Sequence, residues 1–168
     1  MTTSASPSGG RVDVTAPAGI AIEPATPDDR VDVLRVLDAA MLETDANIVD
    51  AAINAGDVLV ARFSRTDAVV GALVGVRPEP GRRHIDAVAV RRARRGRDIG
   101  SALVAAAVRR AEGDGDAGVV TAAFAPRLEG FYTGLGFDIG DPSAGEYDTD
   151  DGDTDAADPN RLSGRRAV

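Results

Sequence analysis

Residues His84–Val108, HIDAVAVRRARRGRDIGSALVAAAV, set the architecture of this chain. Ile85–Val90 reads as a short strand, five arginines follow within seven residues (Arg91, Arg92, Arg94, Arg95 and Arg97), and an alanine-rich helix opens at Ile99. A strand that feeds a glycine-containing turn into a helix N-terminus gathers unsatisfied backbone N–H groups at the positive end of the helix dipole. That is a place to put a phosphate.

The segments on either side supply a sheet and its covering helices. Upstream, Ile20–Pro24 alternates like a strand. Thr26-Pro27-Asp28-Asp29 signals a helix start, with a capping hydroxyl, proline at the first helical position and acids in the first turn. The helix carries Val31, Leu34, Leu37 and Met41 at three- and four-residue spacing. A second helix is predicted over Asn47–Ala55, stopped by Gly56. Asp57–Phe63 and Ala68–Val76 read as strands, and Pro78-Glu79-Pro80-Gly81 breaks the chain before the next one. Downstream, the helix over Ile99–Glu112 ends in GDGDAG, Val119–Phe124 is a strand, and Arg127–Leu135 is a helix closed by Gly136 before one more strand. Asn160–Val168 is read as returning in a short edge strand. This order places the chain in the α/β (α+β) class, with a mixed, mostly antiparallel central sheet of six or seven strands flanked by about four helices.

The expected organisation is one domain over residues 20–140, preceded by a disordered leader (1–19) and followed by an acidic loop or tail (141–168). Residues 141–158 hold eight acids and no base and read as solvated. The run DTDDGDTD lacks the glycine and glutamate positions of a calcium loop. Apolar residues are 43% and aromatics 4%, so the core must be built from Ala, Val, Leu and Ile. The absence of cysteine excludes disulfides, thiolate metal sites and a cysteine acyl-enzyme, and the single histidine excludes a multi-histidine metal centre. No metal is expected.

All 19 basic residues are arginine, Asp outnumbers Glu by 21 to 6, and the net charge is −8. This composition is halophile-like: a carboxylate-rich surface stays hydrated in high salt, which screens its self-repulsion. A high-GC coding bias is the alternative origin. The negative balance and scarce aromatics argue against a nucleic-acid partner. Residues 1–19 lack the basic start and apolar core of a signal peptide, and no apolar run approaches the roughly 20 residues of a membrane span. The expectation is a cytoplasmic protein without membrane contact, monomeric or homodimeric.

Two segments resemble the GCN5-related N-acetyltransferase (GNAT) superfamily. VAVRRARRGRDIGSALV (88–104) is similar to its acetyl-CoA motif, Arg/Gln-x-x-Gly-x-Gly/Ala, here Arg95-Gly96-Arg97-Asp98-Ile99-Gly100. GFYTGLGF (130–137) is similar to the motif on its last helix and following strand. The resemblance covers about residues 20–140 and implies the acyl-CoA N-acyltransferase fold. It also implies acetyl transfer from acetyl-CoA to a primary amine, directly, in a ternary complex. The acceptor is then a small-molecule amine or a protein N-terminus or lysine. A non-catalytic acyl-CoA-binding or regulatory module of the same fold is the alternative.

Residue by residue, Gly96 and Gly100 allow close backbone approach to the CoA phosphates. The N–H groups of Arg97, Asp98, Ile99, Gly100 and Ser101 are the donors, with the Ser101 hydroxyl beside them. Arg95 and Arg97 are assigned to the pyrophosphate, whereas Arg91, Arg92 and Arg94 are solvated or reach the 3′-phosphate. By resemblance, backbone groups of Val88, Ala89 and Val90 pair with the pantetheine arm as an added strand would. Asp98 departs from the pattern, standing where the family usually has a glycine; it could cap the helix through its side chain. Ala125 stands where many members carry asparagine.

Thioester aminolysis needs a neutral amine, a stabilised oxyanion and a proton for the thiolate. By resemblance Tyr132 is the general acid; the other reading is a core tyrosine. Strand alternation puts His84, Asp86, Val88 and Val90 on one face. His84 and Asp86 are therefore candidates for the base or for holding a water, or else surface groups at a strand end. Glu43 and Asp45 lie where family substrates often bind.

Overall fold

The computed structural model of the chain describes residues 15–40, 42, 44–140 and 162–168. The expectations for most of the leader, for the acid run at 141–158, and for Met41 and Glu43 fall outside them. The elements are β1 (Ile20–Pro24), α1 (Arg30–Ala39), α2 (Ala46–Ala55), β2 (Val58–Phe63), β3 (Ala68–Val76), β4 (Arg82–Val90), α3 (Ile99–Gly113), β5 (Val119–Phe124), α4 (Glu129–Gly134), β6 (Asp138–Gly140) and β7 (Leu162–Ala167). Short 3-10 turns precede α1, α3 and α4.

The strands form one mixed sheet in the order β1-β2-β3-β4-β5-β7-β6. Every neighbouring pair is antiparallel except β4 and β5. The expected fold class is therefore the observed one, with one correction. The C-terminal strand forms, but it does not lie at the edge: β7 is inserted between β5 and β6. Its Gly164 is buried, and a Cβ there would meet Phe124 Cε1 at 2.9 Å, so glycine is what lets β7 cross the Phe124 ring.

Each sheet face carries its own core. On one side α1 and α2 pack Val33, Val36, Leu37, Val49 and Ile53 against Val58, Val60, Ala72, Val74, Ala87 and Ala89. On the other, α3 and α4 pack Ile99, Leu103, Val104, Val108 and Tyr132 against Leu59, Leu73, Ile85, Val120, Ala122 and Phe124. The apolar face of α1 differs from the predicted one: Val33, Val36 and Leu37 are buried, whereas Val31 is 52% exposed. The 3-10 turn at Pro27–Asp29 delays the α-helix to Arg30 and changes which residues face the sheet.

Asp29 fastens that corner. Its carboxylate accepts from the Thr26 N–H (2.9 Å), the Thr26 hydroxyl (3.2 Å) and Arg62 Nη2 (2.8 Å). Burial opposes its charge, but the Arg62 guanidinium and the Thr26 donors hold the carboxyl below the usual carboxylate range. Among the described residues no helix is long and apolar enough to cross a membrane.

Candidate active site

β4 and β5 pair over only four residues each, Arg82–Ile85 against Val119–Ala122. Past Ile85 and Ala122 the strands part, and the β4 edge that faces β5 has no strand beside it. The cause is visible one residue on. Val74 pairs with Ala87 but Gly75 with Ile85, so Asp86 is an extra residue on β4, a bulge without a partner on β3. A bulge bends its strand and sharpens the local twist.

A cleft of about 620 Å³ fills the fork. Asp86, Ala87 and Val88 line one wall, Ala123 and Phe124 the other, Phe131 and Tyr132 of α4 the base, and Leu42 reaches it from the α1 side. Arg127 and Leu128, in the turn before α4, complete the rim. Sequence reasoning missed these two and Leu42. Leu128, a large apolar side chain left 37% exposed on this rim, carries nothing in the sequence that sets it apart from the core leucines.

Tyr132 is a core residue and a cleft residue together. It is 5% exposed and stacks on Phe124 with ring centroids 4.1 Å apart and planes at 16°. Phe131 and Phe137 meet it edge-on at 5.0 and 5.3 Å. Three rings thus hold the phenol in one orientation at the base of the cleft, a geometry that aromatic quadrupoles favour.

The bulge overturns the single-face expectation for β4. Val88 and Val90 pack on the α3 side with Ile85, whereas Ala87 and Ala89 face α1 and α2. Residues 85 and 87 would share a face in a regular strand. The inserted Asp86 shifts that parity, which leaves His84 on the side opposite Val88 and Val90. The His84 Nδ1 lies 2.8 Å from Thr121 Oγ1, and His84 is absent from the cleft lining. His84 and Asp86 are not brought together, and only Asp86 reaches the cleft.

The turn into α3 stands at the open end of the fork. Gly96 has φ +77°, and Asp98 also lies in the left-handed region, at φ +61°, ψ 17°. The side chain of Asp98 makes no capping hydrogen bond, which corrects that expectation; its carbonyl accepts the Ala102 N–H at 3.0 Å. Ala102 is the first inward donor of the helix, so the amides of Ile99, Gly100 and Ser101 are turned outward. Ile99, 2% exposed, anchors this turn in the core. A Cβ on Gly100 would lie 3.7 Å from Phe131 and 3.8 Å from Val90, so the amide turn adjoins the cleft.

The arginines divide by their contacts. Arg91 Nε donates to Val69 O at 2.9 Å, and the Arg94 guanidinium covers the Phe63 ring at 4.1 Å. Both are thus tied to neighbouring strands, Arg94 half-buried and Arg91 still exposed to solvent. Arg95 donates from Nε to Val90 O at 3.2 Å, which directs a guanidinium with further N–H donors along the turn. Arg92 and Arg97 are exposed. Among the described residues, no group of three or more His, Cys, Asp or Glu is placed to hold a metal.

The acetyltransferase (GNAT) family model matches residues 31–137, more than half of the chain. Among curated proteins, no relative matches the chain. Three solved structures illustrate the likeness. Ard1 from Thermoplasma volcanium superposes with a TM-score of 0.66 at 19% identity, covering 89% of this chain and 98% of its own. Naa50 from Arabidopsis thaliana, in complex with the bisubstrate analogue CoA-Ac-MVNAL, gives 0.64 at 18%, with 89% and 99% covered. A GNAT family acetyltransferase from Brucella melitensis in complex with acetyl-CoA gives 0.58 at 25%, with 71% and 82% covered. The forked β4–β5 pair, the amide-bearing turn into α3 and the match of the family model over 31–137 make this chain a member of the acetyltransferase (GNAT) family.

Proposed function

We propose that the chain transfers an acetyl group from acetyl-CoA to a primary amine, directly, within a ternary complex. One observation carries this reading: a fork in the sheet opens beside an outward-facing amide turn and has a phenol at its base. The residues fit the donor. Ile99, Gly100 and Ser101 offer backbone donors to a pyrophosphate, with Arg97, Gly96 and Arg95 along the same turn. The free β4 edge at Val88, Ala89 and Val90 offers peptide groups to the amides of pantetheine.

In the chemical step the amine nitrogen bonds to the thioester carbonyl carbon, the carbon–sulfur bond breaks, and the ammonium proton is lost. Tyr132 is assigned as the acid that returns a proton to the departing thiolate, since its position at the base of the cleft is fixed by three neighbouring rings. Asp86 is assigned to the amine side, as acceptor of the ammonium proton directly or through water; it is an exposed carboxylate on the cleft wall. The placement of His84 outside the cleft supports no role for it in this step. The acceptor class remains a primary amine, on a small molecule or on a protein N-terminus or lysine. The Naa50 neighbour, bound to CoA-Ac-MVNAL, is consistent with the peptide end of that range.

The test is Tyr132→Phe, assayed by thiol release over a panel of amines alongside calorimetry with acetyl-CoA. The expected result is a fall in kcat of about a hundredfold or more with acetyl-CoA binding retained. Unchanged turnover would remove Tyr132 as the acid. Acetyl-CoA binding by the native chain without thiol release on any amine would favour a non-catalytic binding module instead.

A further inference from the structure

A second cavity, of about 370 Å³, lies on the α3 side of the sheet, beyond the closed end of the fork. Its walls are apolar, with Leu59, Leu73 and Val120 from the sheet and Ala107 and Ala111 from the second half of α3. Charged residues complete its lining, and the cavity is open to solvent on that side. Arg77 makes a bidentate contact with Asp57 at 2.8 and 3.0 Å, and Arg83 pairs with Asp114. One residue lines both this cavity and the cleft: Ile85.

Ile85 stands at the apex of the fork, where it is the last β4 residue paired with β5, opposite Ala122. It is 5% exposed and belongs to the core cluster on the α3 side, the side on which Val88 and Val90 flank the free β4 edge. On the acetyl-CoA reading, an acyl group carried down that edge from the α3 turn would end at Ile85. Beyond it lies apolar space that a two-carbon acyl group does not reach.

We propose that Ile85 is a specificity-determining residue that limits the acyl donor to short chains by walling the cleft off from the second cavity. This inference rests on the acetyl-CoA reading above and adds the chain-length limit to it. A straight acyl chain longer than acetyl meets the branched side chain of Ile85. With that side chain trimmed, the chain enters a cavity whose walls match it, and each added methylene leaves water for an apolar surface. The acetyl group gains nothing from the trimming, so the change appears in the ratio of affinities for long and short donors.

The experiment is calorimetry of the native chain, Ile85→Ala and Ile85→Val with acetyl-, butyryl- and hexanoyl-CoA. The native chain is expected to bind hexanoyl-CoA more weakly than acetyl-CoA. Ile85→Ala raises the hexanoyl-to-acetyl affinity ratio by at least about tenfold. Ile85→Val, which removes one methylene and is the variant to use if Ile85→Ala does not fold, shifts the ratio the same way by about threefold. Ala107→Leu refills the second cavity, and added to either variant it brings the ratio back toward the native value. The same chain-length profile in all proteins would overturn the proposal while leaving the acetyl-CoA reading intact. A gain that survives Ala107→Leu would also overturn it, because the chain would then lie elsewhere. Failure of the native chain to bind any of the three esters would instead overturn the acetyl-CoA reading, and this inference with it.

Discussion

Asp98 is the residue at which local rules and the assigned ligand conflict, and two substitutions separate the causes. Its backbone is left-handed, at φ +61°, which costs an L-residue roughly 1–2 kcal/mol, less for Asp and Asn than for most. Glycine at this position removes that strain but gives the unfolded chain more freedom, a loss of about 0.4–1 kcal/mol. Asp98→Gly is therefore expected to stabilise the fold by roughly 0.5 kcal/mol, a rise in Tm of about 1–2 °C. The carboxylate has a second effect. For a separation of about 7 Å from a doubly charged pyrophosphate bound at this turn, in a water-like dielectric, it would oppose binding by roughly 1 kcal/mol before salt screening. Asp98→Asn keeps the tolerance for left-handed backbone and removes only the charge. Screening at 0.1 M salt roughly halves this, so both variants are expected to bind acetyl-CoA about two- to threefold tighter there, whereas only the glycine raises Tm. At 1 M salt the Debye length falls to about 3 Å and the gain in affinity should vanish. High salt would thus mask the carboxylate. Calorimetry at the two salt concentrations, with thermal melts of each protein, reads every term. If neither variant changes acetyl-CoA affinity at low salt, the phosphates do not lie at this turn.

Two further predictions concern the frame of the site. Gly164→Ala drives a Cβ to 2.9 Å from Phe124 Cε1, and the Phe124 ring stacks on Tyr132. It should cost about 1–3 kcal/mol by thermal or urea unfolding, with kcat reduced as well; a neutral result would mean that the ring yields freely. Asp29→Asn removes a charged partner of Arg62 and should cost about 2 kcal/mol. Because the folded carboxyl of Asp29 is held low, its contribution is present above the ordinary carboxylate range and is lost as pH falls through its folded value. The stability gap between the native chain and Asp29→Asn should accordingly narrow in acid, and a gap independent of pH would refute the ion-pair account.

Much of this molecule could be read locally. The helix start at Thr26-Pro27, the stops at Gly56 and Gly136, and the strand, arginine turn and helix from Ile85 onward depend on residues a few positions apart, and each lies within a few residues of its predicted place. The turn proposed to bind phosphate was legible for the same reason: its amides, glycines and helix start are contiguous in the chain.

What escaped the sequence depends on partners far along it. The Asp86 bulge exists because Val74 and Gly75 pair with Ala87 and Ile85, and no rule of alternation reveals that slip. It separated His84 from Asp86 and turned Val88 and Val90 to the α3 side. The arginine run looked uniform until Val69 and Phe63, from β3 and β2, took Arg91 and Arg94. The place of β7 inside the sheet required Phe124 to accept Gly164 across it. Sequence by itself determined the elements, the turn chemistry and the family, because hydrogen bonding and backbone preference act over a few residues. Only the tertiary structure decided which face each strand residue occupies, which arginines are tied to neighbouring strands, and that Ile85 lines two cavities. Those outcomes follow from pairing register and packing, which are set by residues tens of positions away.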